Sequence, residues 1–162
     1  MSVNPPAASN GATASAAASL AARLVGTWEL RSRIDRDAAG VRCPEPTLGE
    51  DPVALVYFDR SGHFAAQFMK RDRTSTAAAG AAAGTNNTRA VDGYDAYFGA
   101  YHVDEAHGTV TTTLAGALAR EHVGAVLTRQ MRVDGDTLTI TLATTTADGR
   151  PVTRTLTWSR LV

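Results

Sequence analysis

Residues 137–142 read Thr-Leu-Thr-Ile-Thr-Leu, and no other feature of the chain restricts its fold as much as this alternation. Along an extended strand successive side chains point to opposite faces. Leu138, Ile140 and Leu142 therefore face a core, and Thr137, Thr139 and Thr141 face water. The period returns at the end of the chain, where Val152, Arg154, Leu156, Trp158 and Arg160 alternate with Thr153, Thr155, Thr157 and Ser159. It also opens the folded region: Thr27, Glu29, Arg31 and Arg33 are polar, while Trp28, Leu30, Ser32 and Ile34 form the face expected to be buried.

Five more segments extend the pattern, at 53–58, 63–70, 94–103, 109–114 and 125–133. Turn chemistry separates neighbours, as in Asp59-Arg60-Ser61-Gly62, Asp134-Gly135-Asp136 and Ala147-Asp148-Gly149. With Asp59 to Gly62 as a four-residue connection, Tyr57 pairs with Phe64, Leu55 with Ala66 and Val53 with Phe68, and this bulky set is expected inside. The opposite face, with Phe58, Val56 and Ala54, is then apolar enough to call for cover by a loop, a helix or a second copy of the chain. On 94–103, Tyr97, Gly99, Tyr101 and Val103 share one face, and Gly99 marks either a ligand-sized gap between two phenol rings or a bulge.

Residues 37–52, broken by Gly40, Pro44, Pro46, Gly49 and Pro52, read as a long irregular loop. Residues 74–92, where alanines are interrupted by Gly80 and Gly84, read as a weakly held connection, either a lid or a tolerated insertion. Residues 19–25 have the spacing of a short helical turn. Eight strands in hairpin order without a long helix give an all-β fold, an eight-stranded antiparallel up-and-down barrel, with about the strand number whose interior just holds one small ligand. Trp28 is either an ordinary core tryptophan or, with Trp158 in phase and Arg160 stacked on it, the closure of one barrel end. Closure there sends a ligand in at the other end, beside 37–52 or 74–92.

The chain has 162 residues, divided here into a leader (1–18) and one barrel domain (19–162). The leader, rich in Ala, Ser, Asn and Pro, lacks a basic segment followed by large apolar residues, so it reads as disordered and not as a secretion signal. Lys plus Arg and Asp plus Glu balance at 16 each, so no net field steers the protein to nucleic acid or an anionic membrane. Cys43 is the one cysteine, which excludes an internal disulfide and a thiolate metal cluster. Together with the leader, this makes a cytoplasmic protein the expectation.

Few residues offer chemistry. Arg129 is in phase with Leu127, Met131 and Val133, and Arg154 with Val152, Leu156 and Trp158. An inward guanidinium is costly unless paired, so each needs a carboxylate, a carbonyl cluster or an anionic ligand: it holds a carboxylate, carbonyl or enolate oxygen of a ligand, or snorkels at a rim, or stacks on a tryptophan. Tyr57, Tyr97 and Tyr101, with Phe64 and Phe68, either line a ligand cavity or pack the barrel. Should the protein be an enzyme, Arg129, Tyr97 and Tyr101 are the catalytic candidates. His63, His102, His107 and His122 lack metal-ligand spacing, and no phosphate or dinucleotide fingerprint occurs. No metal and no cofactor is expected.

The segments Leu24-Val25-Gly26-Thr27-Trp28-Glu29-Leu30, Gly62 to Met69, Gly93 to Tyr101, Gly124 to Arg129, Asp134 to Ile140 and Leu156 to Arg160 together resemble the lipocalin-like domain family of small bacterial and fungal proteins. The resemblance implies an eight-stranded calycin-type barrel with an internal cavity. It further implies either a carrier of a small hydrophobic, oxygen-bearing molecule or a cofactor-independent cyclase or isomerase acting on a polyketide-like or polyene substrate in natural-product biosynthesis. Where the family often carries a histidine, after the tyrosine-rich strand, this chain has Thr111-Thr112-Thr113. The expected partner is a small hydrophobic molecule, not nucleic acid or a membrane, and a homodimer is left open. A barrel whose side chains fill the lumen is the third alternative.

Overall fold

The computed structural model describes residues 18–74 and 82–162. The expected leader, up to residue 17, and residues 75–81 of the expected lid or insertion lie outside the described residues. A short helix α1 (Leu20–Leu24) precedes β1 (Gly26–Arg36), β2 (Arg42–Cys43), β3 (Val53–Phe58), β4 (His63–Met69), β5 (Tyr94–Asp104), β6 (Thr109–Ala117), β7 (Val126–Asp134), β8 (Thr137–Thr145) and β9 (Pro151–Arg160). A turn of 3₁₀-helix, Arg120–His122, links β6 to β7. Each long strand pairs antiparallel with its sequence neighbour, and β1 also pairs with β9, from Trp28 opposite Arg160 to Arg36 opposite Thr153. Eight strands thus close a barrel. The short β2 adds to the far half of β1, through Asp35 opposite Cys43, inside the segment expected to be irregular throughout.

One end is shut by packing. Trp28 and Leu24 are fully buried, Leu20 nearly so, and the Trp28 indole N–H donates to the Leu24 carbonyl at 2.9 Å. The Arg160 guanidinium lies 4.1 Å above the Trp28 ring and donates to the carbonyls of Val25 and Arg23 at 2.8 and 2.7 Å. At the other end of α1, the Glu105 carboxylate accepts from the backbone N–H groups of Leu20 and Ala21 at 2.7 and 2.8 Å. These donors have no partner within the helix, and a carboxylate placed there is favoured.

Three local events set which side chains face the lumen. Around Arg31 the β1–β9 register slips: Leu30 is opposite Trp158 but Ser32 is opposite Thr157. This β-bulge exchanges the two faces of β1 beyond it. Arg33 and Asp35 are consequently buried, at 6% and 3% exposure, and the expected inward positions Ser32 and Ile34 are not.

The second event is at the β3–β4 turn. The Asp59 N–H donates to the His63 carbonyl at 2.9 Å, leaving three residues in the loop, with Gly62 at φ +85°. An odd loop closed by a left-handed glycine is a standard hairpin connection, and it offsets the register by one. Phe58 opposes Phe64, Val56 opposes Ala66, and Ala54 opposes Phe68. The inward assignment of Val53, Leu55 and Tyr57 is therefore corrected: Ala54, Val56 and Phe58 are buried, and Tyr57 is 38% exposed on the outside. A slip of one residue reverses every side chain of a strand.

The third event settles Gly99. The β5–β6 register shifts beside it, and a Cβ on Gly99 would stand 2.0 Å from the Thr113 carbonyl oxygen. The glycine permits close approach of two backbones at a bulge; it is not a gap for a ligand.

Candidate functional site

Between the closed end and the opposite mouth the barrel encloses a cavity of about 70 Å³, several times the roughly 10–15 Å³ that a water molecule requires. Phe64, Phe68, Leu127, Met131, Ile140 and Leu156 supply much of its apolar wall. Each projects inward because its strand alternates, so the wall follows directly from period two.

Three arginines enter this apolar space. Arg154 forms a two-pronged ion pair with Asp35, Nε to Oδ1 and Nη2 to Oδ2, both at 2.7 Å, and both side chains are about 95% buried or more. Arg33 donates to Glu45 at 2.8 Å. Arg129 is different. Its Nη1 donates to the Asn86 side-chain oxygen at 2.8 Å and to the Thr128 carbonyl at 3.2 Å, and among the described residues no carboxylate pairs with it. Burial works against its charge and lowers its pKa; the nearby Tyr97 opposes this, and the nearby Arg154 adds to it.

Asp95 and Tyr97, two apart on β5, share the inner face. The Thr88 hydroxyl donates to Asp95 Oδ2 at 2.5 Å, while Asp95 Oδ1 is buried without a hydrogen bond among the described residues. Burial pushes the Asp95 carboxyl up to about 6, against a smaller lowering by Thr88, His122, the Ala96 backbone and Arg33. Burial likewise pushes the Tyr97 phenol up to about 12, with Asp95 acting in the same direction and Arg129 against it. The Trp158 indole N–H is likewise buried without a partner among the described residues. Asp95, Tyr97, Arg129 and Trp158 all line the cavity.

The folded pKa of Asp95 lies above its ordinary value of 3.8, so the folded state binds more protons than the unfolded state between those values. Stability from this group is present at low pH and is lost as pH rises through about 6. Between about pH 4 and pH 7.5 the wild type should lose on the order of 2 kcal/mol that Asp95→Asn does not. Urea unfolding of the two proteins at both pH values checks this through the difference between their slopes.

Two segments cover the mouth. In loop 37–52, Glu45 accepts from the Thr47 and Leu48 N–H groups at 3.1 and 3.0 Å and from the Thr47 hydroxyl, and its bond to Arg33 ties the loop down. Leu48, 5% exposed, thereby reaches the core and the cavity wall. In the strap 82–91, Asn86 pairs with both backbone groups of Thr128, at 2.9 and 3.1 Å, where β7 and β8 have parted. The Thr144 hydroxyl holds the Thr85 carbonyl at 2.7 Å. His122 Nε2 accepts the Arg89 N–H at 3.1 Å. A smaller cavity of about 30 Å³ lies between the two covers, beside Arg154 and Asp35.

The expected site residues thus separate. Phe64, Phe68, Tyr97, Arg129 and Arg154 meet at the cavity. Tyr57 is outside it. Tyr101 packs edge-on against Phe58, a cavity wall, at 5.2 Å and donates to the Asp59 carbonyl at 2.7 Å, but does not itself line the main cavity. Trp158, expected as part of the closure with Trp28 and Arg160, is itself a cavity wall, edge-on to Phe68. Arg33, Asp35, Thr88 and Asp95 were missed. Asp95 was signalled by its phase with Tyr97; Arg33 and Asp35 were hidden by the bulge.

The sequence model of the lipocalin-like domain matches residues 25–161, the whole of the closed barrel. The chain belongs to the lipocalin-like domain family. A comparison with curated proteins finds no significant match. In this lipocalin-like barrel no group of three or more His, Cys, Asp or Glu side chains among the described residues is placed to hold a metal ion. No described helix is long and apolar enough to cross a membrane. A lipocalin-like barrel with an interior cavity is an architecture suited to binding a small molecule.

Proposed function

We propose that the cavity binds a compact hydrophobic molecule bearing an anionic or carbonyl oxygen, anchored on Arg129. The observation that carries this reading is the contrast among the buried arginines: Arg33 and Arg154 each hold a carboxylate, and Arg129 has only neutral acceptors. A buried guanidinium without a counter-charge is costly, and a ligand oxygen offsets that cost. The unpartnered Trp158 N–H and Asp95 Oδ1 give the same ligand a donor and an acceptor to meet, and the apolar wall takes the rest of its surface.

A hydrogen bond to a charged group contributes roughly 1.5–3 kcal/mol, so Arg129→Met should bind trans-cinnamate about 10- to 150-fold more weakly than wild type. Met replaces an incompletely paired charge in an apolar setting, and urea unfolding should find the variant at least as stable. Calorimetric titration with cinnamate and with the neutral cinnamamide tests the reading. Equal affinities of wild type and variant for cinnamate would contradict it.

A second reading, a cofactor-independent cyclase or isomerase acting on a polyketide-like or polyene substrate in the same cavity, draws its support from Asp95, a carboxylate held ready in an apolar space. A purely structural barrel fits less well, because its lumen would be filled.

A further inference from the structure

We propose that Asp95 is the acid–base residue of the cavity, moving a proton on a compact enolisable ketone whose oxygen is held by Arg129. The inference deepens the isomerase reading and rests on the ligand proposal, since the substrate must first occupy the cavity. Its basis is geometric. One carboxylate oxygen, Oδ2, is held by the Thr88 hydroxyl at 2.5 Å. The other, Oδ1, has no hydrogen-bond partner among the described residues. A side chain 4% exposed on the cavity wall thus keeps one oxygen oriented and unoccupied. Tyr97 and Arg129 line the same cavity as Asp95, which places an acid–base group and an oxyanion-stabilising group about the same small space.

The step is redox-neutral and needs no cofactor. Asp95 Oδ1 takes a proton from the carbon next to the carbonyl. The C–H bonding pair becomes a C=C bond, and the carbonyl π pair moves onto oxygen as an enolate facing Arg129. Return of the proton to the same carbon completes exchange. Return to the γ-carbon of a β,γ-unsaturated ketone yields the conjugated isomer, with every atom conserved. An effective base has a pKa near the working pH, and burial brings Asp95 to about 6. The groups that face it are Thr88 on the strap, His122 on the 3₁₀ turn, Arg33 on β1 and Tyr97 on its own strand. A fixed guanidinium at the developing enolate supplies the stabilisation.

The test follows α-deuterium incorporation into 2-tetralone in D₂O by NMR, with binding of the same ketone measured in parallel by calorimetry. Wild type should accelerate exchange over buffer. Asp95→Asn should still bind tetralone and, at saturating tetralone, lose at least about 100-fold in exchange rate, the lower bound for a general base. Thr88→Val removes a hydrogen bond that lowers the Asp95 pKa and should shift the midpoint of the rate–pH profile upward, an effect that a purely structural role would not produce. Tetralone bound without accelerated exchange, or exchange retained in a folded Asp95→Asn, overturns the acid–base proposal and leaves the ligand reading standing. No binding of tetralone by wild type contradicts both.

Discussion

Arg154→Ala is expected to lose about 3–5 kcal/mol of folding stability, close to the whole margin of a small domain. The cause is what remains. Asp35 is 3% exposed, and both of its oxygens are taken by Arg154 at 2.7 Å. Removing the guanidinium strands a buried carboxylate that has lost both of its direct hydrogen bonds, and the nearby Arg33 charge is already paired with Glu45. The same logic gives the opposite sign for the double variant. Asp35→Leu with Arg154→Met replaces both charges by apolar groups of similar bulk, and most or all of the loss should be recovered, because a buried pair contributes little net stability over a well-packed apolar pair. Urea unfolding of the wild type, both single variants and the double variant gives the coupling directly. A single-variant cost below about 1 kcal/mol would show that the pair is not isolated from solvent as the structure has it.

Trp28→Ala should cost about 3–5 kcal/mol by a different route. The indole is fully buried at the closed end, bonded to Leu24 and stacked under Arg160, so truncation opens a void between α1 and the barrel. The Arg160 guanidinium loses the ring beneath it, a contact worth about 0.5–2 kcal/mol depending on burial. Trp28→Phe keeps a ring and should lose markedly less. Trp28 does not line the cavity, so protein that remains folded should keep its affinity for cinnamate. A stability loss accompanied by lost binding at saturating folded fraction would mean that the closed end and the cavity are not separate.

What could be read from the sequence was what period two carries. Leu138, Ile140 and Leu142 on β8, and Phe64, Ala66 and Phe68 on β4, are all buried. The phase of Arg129 with Leu127 and Met131 put the guanidinium at the cavity before any coordinates did. Alternation could not report a change of phase. Arg31 is one extra residue in β1, and nothing in Arg31-Ser32-Arg33 distinguishes a bulge from a continuous strand, so Asp35 stays hidden as the partner of Arg154. The β3 face failed for a related reason. Asp59-Arg60-Ser61-Gly62 reads as four loop residues, but Asp59 joins the ladder, and the odd loop reverses Tyr57. The Thr88 bond to Asp95 depends on how the strap 82–91 crosses the mouth, which no periodicity encodes.

The claim on which the rest depends is that a ligand enters the barrel and reaches Arg129. Side-chain NMR during a titration with trans-cinnamate measures it directly, following the Arg129 Nε–Hε resonance together with the Met131 and Ile140 methyl groups. The account predicts that all three shift along one saturation curve and that cinnamamide, whose oxygen is a neutral carbonyl, moves the Arg129 resonance less than cinnamate does. Shifts confined to outward residues such as Phe98 and Val126, with Arg129 unmoved at saturation, would contradict it.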